Sequence, residues 1–336
     1  MFTLENVWGR FGNVSLETGA VAPVFGAFTP ADFDAHGTLR VTNFFYAQPL
    51  SEKLILGVGK LRLPGTADDD IFAGGDGSDQ FMNQELCANP SFLALFPIST
   101  FAMTAIMPRE WGSVSFSVLD PQERSQDFFD IGDLFSQGVI LQSQVKVKTN
   151  LLNKPGEHHV GAIWKSVDLL DLRFSPLPPY YPYPPAPPGL AFKSDSWTAY
   201  YGFDQYIRVF GTDPQGNTKG WGLFARAGIA DGGSGNPNFF GWSASMGIGG
   251  DSPFRCAKGD KFGLGYSFAA TSSEWGPIPN ALFGPRDSQA LEAYCKCQLT
   301  ASISVSPDMQ WLQGALGGLT DYEDALVFGM RMNIKL

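Results

Sequence analysis

"ALVFGMRMNIKL" (Ala325–Leu336) closes the chain and decides how it is read. Leu326, Phe328, Met330, Met332, Ile334 and Leu336 fall on one parity, and Val327, Gly329, Arg331, Asn333 and Lys335 on the other. A period of two marks a β-strand whose faces meet different surroundings. Here the first face is large and apolar throughout, while the second mixes glycine, amide and cations. That pairing suits hydrocarbon on one side and a wet interior on the other.

The pattern recurs upstream. Val114, Phe116 and Val118 alternate with Ser113, Ser115 and Ser117, and Val139, Leu141, Val145 and Val147 with Gln142, Gln144, Lys146 and Lys148. Trp221–Ile229, Trp242–Ile248 and Phe262–Phe268 repeat it, and Leu291–Val305 reads as one long strand with Cys295 and Cys297 on its apolar face. Several runs exceed the roughly 5–6 residues of a globular strand and reach the ~9–11 that a tilted membrane strand needs. In Leu54–Leu63 the apolar parity slips around Gly59 and Lys60. A β-bulge there would account for the slip and re-aim Lys60 and Arg62.

Connection lengths alternate as well. Tight links are expected at Trp8–Gly12, Pro49–Glu52, Pro108–Trp111, Asn150–Gly156, Thr212–Asn217 and Ser306–Asp308. Longer stretches lie between them, at Ala22–Gly37, Pro64–Thr100, Asp120–Ser136, Arg173–Ser196, Asp231–Asn238 and Ser272–Ser288. Short turns on one rim and long loops on the other characterise an up-and-down outer-membrane barrel, with the short turns periplasmic. The expected fold is therefore all-β: a transmembrane, up-and-down antiparallel β-barrel.

Composition agrees. Charged residues make up 17% of the 336 and aromatic residues 14%, and no apolar run is long enough for a membrane helix. No compositional break divides the chain, so residues 1–336 are read as a single barrel. The net charge of −10, without any basic cluster, argues against nucleic acid. Four cysteines are too few for a disulfide scaffold and lack zinc-site spacing. His158 and His159, being adjacent, point to opposite strand faces. No cofactor motif, metal-binding loop or catalytic signature is present, and no enzyme activity is expected. Met1–Asn6 carries no signal-peptide pattern, so an exported barrel implies a mature or truncated start.

Several blocks in fixed order resemble the carbohydrate-selective porins of the OprB family. They are "LILGVGKLRL" (Leu54–Leu63), "DQFMNQEL" (Asp79–Leu86), "NPSF" with "FPIST" (Asn89–Thr100), "GLFARAGIADGGSGNPNFFGWSASMGIGG" (Gly222–Gly250), "DKFGLGYSFA" (Asp260–Ala269) and "LEAYCKCQLTASISVSPDMQW" (Leu291–Trp311). The resemblance implies a barrel of about 16 strands, with about 14–15 in this chain. Counting back from the end places the fourth strand at Thr38–Gln48 and the third at Asn13–Ala20. It also implies an outer-membrane location and passive diffusion of mono- or oligosaccharides.

A barrel of that size leaves an aqueous channel unless something folds inward, and Pro64–Thr100 is the longest candidate. Its first half is rich in acids and amides: Asp68, Asp69, Asp70, Asp76, Asp79, Gln80, Asn83, Gln84 and Glu85. With Arg62, Arg226, Tyr294, Lys296, Arg331 and Lys335 from the wall it would form a polar ladder for sugar hydroxyls. The alternative is a solvated outer loop bridged to lipopolysaccharide by divalent ions. The proline-rich "SPLPPYYPYPPAPPGL" (Ser175–Leu190) is expected as an external spacer. Other readings stay open: a general diffusion porin, a plugged structural barrel in outer-membrane lipid, or a soluble β-rich sugar-binding protein. A homotrimer is compatible with the pore reading.

Overall fold

The alternating faces do form strands. The structure, a computed structural model, describes residues 2–5, 14–21, 40–63, 70–125, 131–174, 192–233, 237–253 and 259–334. Its strands are β1 (Phe2–Glu5), β2 (Arg40–Ser51), β3 (Leu54–Arg62), β4 (Ser99–Arg109), β5 (Gly112–Leu119), β6 (Val139–Leu151) and β7 (Lys154–Leu170). They continue as β8 (Phe192–Thr212), β9 (Thr218–Ala230), β10 (Phe240–Asp251), β11 (Lys261–Thr271), β12 (Ser288–Gln298), β13 (Ile303–Gln313) and β14 (Ala325–Ile334). All belong to one 14-stranded sheet in strict sequence order, every pair antiparallel. Among the described residues no helix is long and apolar enough to cross a membrane.

The outer face is apolar and uncovered. Phe328 and Met330 on β14 are 71% and 78% exposed, and Phe116, Leu223, Met246 and Leu264 stand on the same side of their strands. Such a perimeter would be costly in water and is stable against lipid. Aromatic residues gather towards both ends of this face. Trp111, Trp221 and Phe262 lie near the short turns, and Trp164, Trp197, Trp242 and Trp311 near the long loops. Indoles with an apolar body and a polar N–H suit a bilayer boundary. Trp311 Nε1 donates to Asp324 at 2.8 Å and Trp164 Nε1 to Asp195 at 3.3 Å.

The alternation of connections holds, with corrections. Residues 52–53, 110–111, 152–153, 213–217, 252–260 and 299–302 join strands on one rim; 63–98, 120–138, 171–191, 231–239, 272–287 and 314–324 join them on the other. Ser306–Asp308 is not a turn but the middle of β13, and Leu291–Val305 is two strands rather than one. The turn falls at 299–302, where the Thr300 hydroxyl accepts the Ser302 and Ile303 N–H groups. A threonine thus does locally what proline and aspartate were expected to do. Pro307 is accommodated because the β12–β13 pairing jumps from Tyr294 opposite Asp308 to Cys297 opposite Val305, leaving a gap where proline has no N–H.

The expected bulge at Gly59–Lys60 is absent: both ladders run through these residues without a shift. The apolar parity slips for another reason. Leu61 and Leu63 turn inward against Phe92, Leu95 and Phe96 of the 63–98 connection, so there the inner face is the greasy one. Arg62 therefore lies on the opposite side of β3 from the inward-packed Leu61.

The segment expected as the third strand also differs. Val14–Glu17 forms a single helical turn, α1. The following residues dock on the far end of the sheet: Leu316 N–H donates to Gly19 O at 2.8 Å, and Ala20 packs with Ala290 and Leu312. Gly19 has φ +68, and a Cβ there would lie 2.6 Å from Leu316 O, so only glycine fits. Chain leaving β1 thus meets the β12–β13 end, and the sheet curls round a lumen. Among the described residues β1 pairs only with β2 and β14 only with β13. Trp8–Gly12, Ala22–Gly37 and the proline-rich 175–190 stretch lie outside the described residues.

Candidate functional site

The 70–98 part of the β3–β4 connection folds into the lumen. Its first part turns sharply because Gly74, Gly75 and Gly77 take φ of +95, +79 and +81, values open to glycine at little cost. Two short helical pieces follow. The Asn83 side chain accepts the Glu85 N–H and caps α2 (Gln84–Cys87), and Asn89 caps the 3₁₀ turn Pro90–Phe92 in the same way. In and around these pieces come large apolar residues: Phe72, Phe81, Leu86, Phe92, Leu95 and Phe96, all buried.

Those residues fill the space that small inner-face residues leave. A Cβ on Gly222 would lie 2.5 Å from the Phe72 ring, and one on Gly263 2.9 Å from Phe81. Phe81 meets Phe224 and Tyr294 edge-on, with centroids 5.5 and 5.0 Å apart. Each fully buried aromatic contributes about 1.5–3 kcal/mol relative to exposure. The loop is therefore bound to the wall, not merely resting in a wet channel.

Polar contacts fix its register. Asp204 on β8 accepts the Ile71 and Phe72 N–H groups at 3.0 and 3.2 Å, and Glu292 on β12 accepts those of Met82 and Asn83 at 2.6 and 2.9 Å. Arg226 on β9 pairs with Asp70 and donates to Leu86 O at 2.7 Å. His159 Nδ1 lies 3.5 Å from Asp70, while His158 on the outer face bonds Tyr201 at 2.6 Å, as expected for adjacent residues. Arg331 on β14 donates to Gly77 O and Gln80 O, and Asn333 to Ser78 O. Asn83 donates to Gln310, and Ser288 to Glu85.

Asp79 sits between Lys261 at 3.2 Å and Lys296. Burial would raise its pKa, but the two ammonium groups hold it well below the usual carboxylate range. Glu85 goes the other way: burial pushes its carboxyl up, and the Ser288 and Ser267 hydroxyls offset this only in part. Outside the lumen core, residues 120–125 lie against the end of the loop. Glu123 accepts the Ile98 N–H at 2.6 Å, and burial raises its carboxyl too.

The expected residues are therefore placed as follows. Asp70, Asp79, Asn83, Glu85, Arg226, Lys296 and Arg331 meet at the contact between loop and wall, and Tyr294 is buried there against Phe81. The Gln80 side chain donates to Ile71 O at 3.0 Å. Arg62 sits apart, opposite Ser99, and Asp69 lies outside the described residues. Asp204, Glu292, Gln310, Asn333 and Lys261 were not singled out from the sequence. Their signal was available: each is a polar residue on the inner parity of its strand. The Cys295 and Cys297 sulfurs lie 3.9 Å apart on the outer face. Among the described residues no group of three or more ligating side chains could hold a metal.

An up-and-down barrel with an apolar perimeter and a long loop clamped in its lumen is the architecture of an outer-membrane porin. The comparisons agree. The chain matches the carbohydrate-selective porin, OprB family, over residues 1–336. It belongs to that family, and it is an outer-membrane sugar porin. Among solved structures it is similar to the high-pH structure of Pseudomonas putida OprB, with a TM-score of 0.72 at 18% identity, covering 95% of this chain and 77% of that one. The low-pH structure of the same protein matches at a TM-score of 0.48 and 15% identity, over 88% of this chain and 67% of that one. Acinetobacter baumannii OccAB1 matches at 0.46 and 10% identity, over 89% and 68%. No curated protein matches.

Proposed function

We propose that this porin admits neutral mono- and oligosaccharides by passive diffusion, without catalysis, and that residues 63–98 set the bore. The observation carrying this reading is the clamping of that loop to the wall by Asp204, Glu292, Arg226 and Arg331. A loop so held narrows the lumen by a fixed amount, which is what size and chemical selection require. On this reading Asp70, Asp79, Asn83, Glu85, Arg226, Tyr294, Lys296 and Arg331 act on the sugar by positioning the loop. The apolar perimeter takes outer-membrane lipid as its partner.

Liposome swelling tests the reading. Glucose and maltose are expected to enter, and amino acids of matched size to enter much more slowly. Equal entry of both would make this a general diffusion pore. A plugged barrel is the second reading, favoured by the depth at which Phe72, Phe81 and Leu95 are packed, and no entry of any solute would establish it.

A further inference from the structure

The loop leaves part of the inner wall uncovered near the short turns. Along β8–β13 the inner positions are sealed beneath it: Thr198, Asp204, Arg226, Ser245, Ser267 and Glu292 are all buried. On β3–β5, in the half nearest the short turns, positions of the same parity stay open. Ile106 is 37% exposed, and Ile55, Ser113 and Ser115 are partly exposed. The inner side is established by contact: Gln142 donates to the Tyr200 hydroxyl at 3.3 Å, and Tyr200 packs on Phe92 of the loop at 4.7 Å. Phe116, between Ser115 and Ser117, faces the lipid side instead.

The open positions are neighbours. Ile55 pairs with Ile106 and Ile106 with Ser115, and the patch ends at buried Gln144 opposite Ser115. Beside them Lys146 and Glu157 form an ion pair at 3.1 Å. An apolar strip of two isoleucines thus borders two serine hydroxyls and an ion pair.

We propose that sugars travel off-axis along this belt and bind there as they pass, a reading that rests on the sugar-porin function above. A neutral pyranose has a C–H face and a rim of hydroxyls. Ile55 and Ile106 take the face, and Ser113 and Ser115, as donors and acceptors, with the Lys146–Glu157 pair beside them, take the rim. Each hydrogen bond only replaces one to water, so occupancy is weak and release is fast, as conduction demands.

Thiol labelling tests this in a background with Cys256→Ser, Cys295→Ala and Cys297→Ala, leaving the buried Cys87. Ser115→Cys and Ser245→Cys are compared with a small water-soluble methanethiosulfonate in lipid vesicles, and Ser267→Cys replaces Ser245→Cys where that variant does not fold. The Ser115 thiol is expected to react at least about tenfold faster, because a buried thiol reacts only on local opening. Maltose at twice its Kd should slow it about threefold, and a size-matched amino acid should not. Equal reaction at both positions overturns the off-axis path. Fast reaction at Ser115 without protection by maltose overturns the binding site. Swelling of the same vesicles separates the two readings: sugar entry without protection removes this site alone, and protection without sugar entry removes the porin reading alone.

Discussion

Replacing Arg226 by methionine removes the cation that holds Asp70 while keeping most of the side-chain volume. The two side chains are 1% and 0% exposed, and the guanidinium also binds Leu86 O at 2.7 Å. Stranding one partner of a buried pair costs about 3–5 kcal/mol, chiefly as the penalty of the unpaired charge. Undocking of residues 70–86 relieves that charge, and His159, 3.5 Å from Asp70, offsets part of it in the docked loop, so about 3–5 kcal/mol is an upper bound. At 1.4 kcal/mol per factor of ten, the preference for the docked loop falls by at most about two to three and a half orders of magnitude. The barrel ladders do not depend on this pair, so R226M should still migrate as a heat-modifiable barrel in detergent. In planar bilayers its conductance should rise and become noisier, and size-matched amino acids should enter liposomes. D70N/R226M removes the stranded carboxylate and should recover part of the exclusion. Wild-type conductance and exclusion in R226M, or a double variant as leaky as the single, would refute the reasoning.

Two further outcomes follow from the same structure. Glu85 has a raised carboxyl pKa, so its contribution is fully present below the unfolded value and is lost as pH rises through the folded one. E85Q should therefore flatten the loss of loop protection against protease as pH rises above the unfolded carboxyl range, with little change below it. Met330, 78% exposed on the outer face, should tolerate apolar exchange, whereas M330R should cost about 2–4 kcal/mol if it lies near the bilayer midplane. The urea midpoint of the refolded barrel in lipid reads that loss directly.

Which face meets lipid was legible from period two alone in β5, β6 and β9–β14. β14, β11 and β9 have their apolar residues outward as the sequence indicates, because a strand cannot turn one side chain over without slipping them all. Two positions misled the reading, each for a local physical reason. Pro307 looks like a turn residue, yet the gap in the β12–β13 ladder absorbs its missing N–H. The slip at Leu61 looks like a bulge, yet it records an apolar loop pressed on the inner face. Asp204 and Glu292 were overlooked because their partners are backbone N–H groups of the loop, and backbone groups leave no mark in composition.

The amino-acid pattern by itself determined the barrel, its greasy perimeter and the parity of its loops, since these depend on neighbours along the chain and on the solvent each face meets. Where the 63–98 loop lies, and which wall it leaves bare, only the tertiary structure decided. Asp70 and Arg226, or Asn83 and Gln310, are far apart in sequence, and their meeting depends on how the whole sheet curls. The acids and amides of the loop are equally at home in water or against a wall. What selects the wall is the fit of Phe72 and Phe81 into spaces above Gly222 and Gly263, which exist only once the strands are assembled.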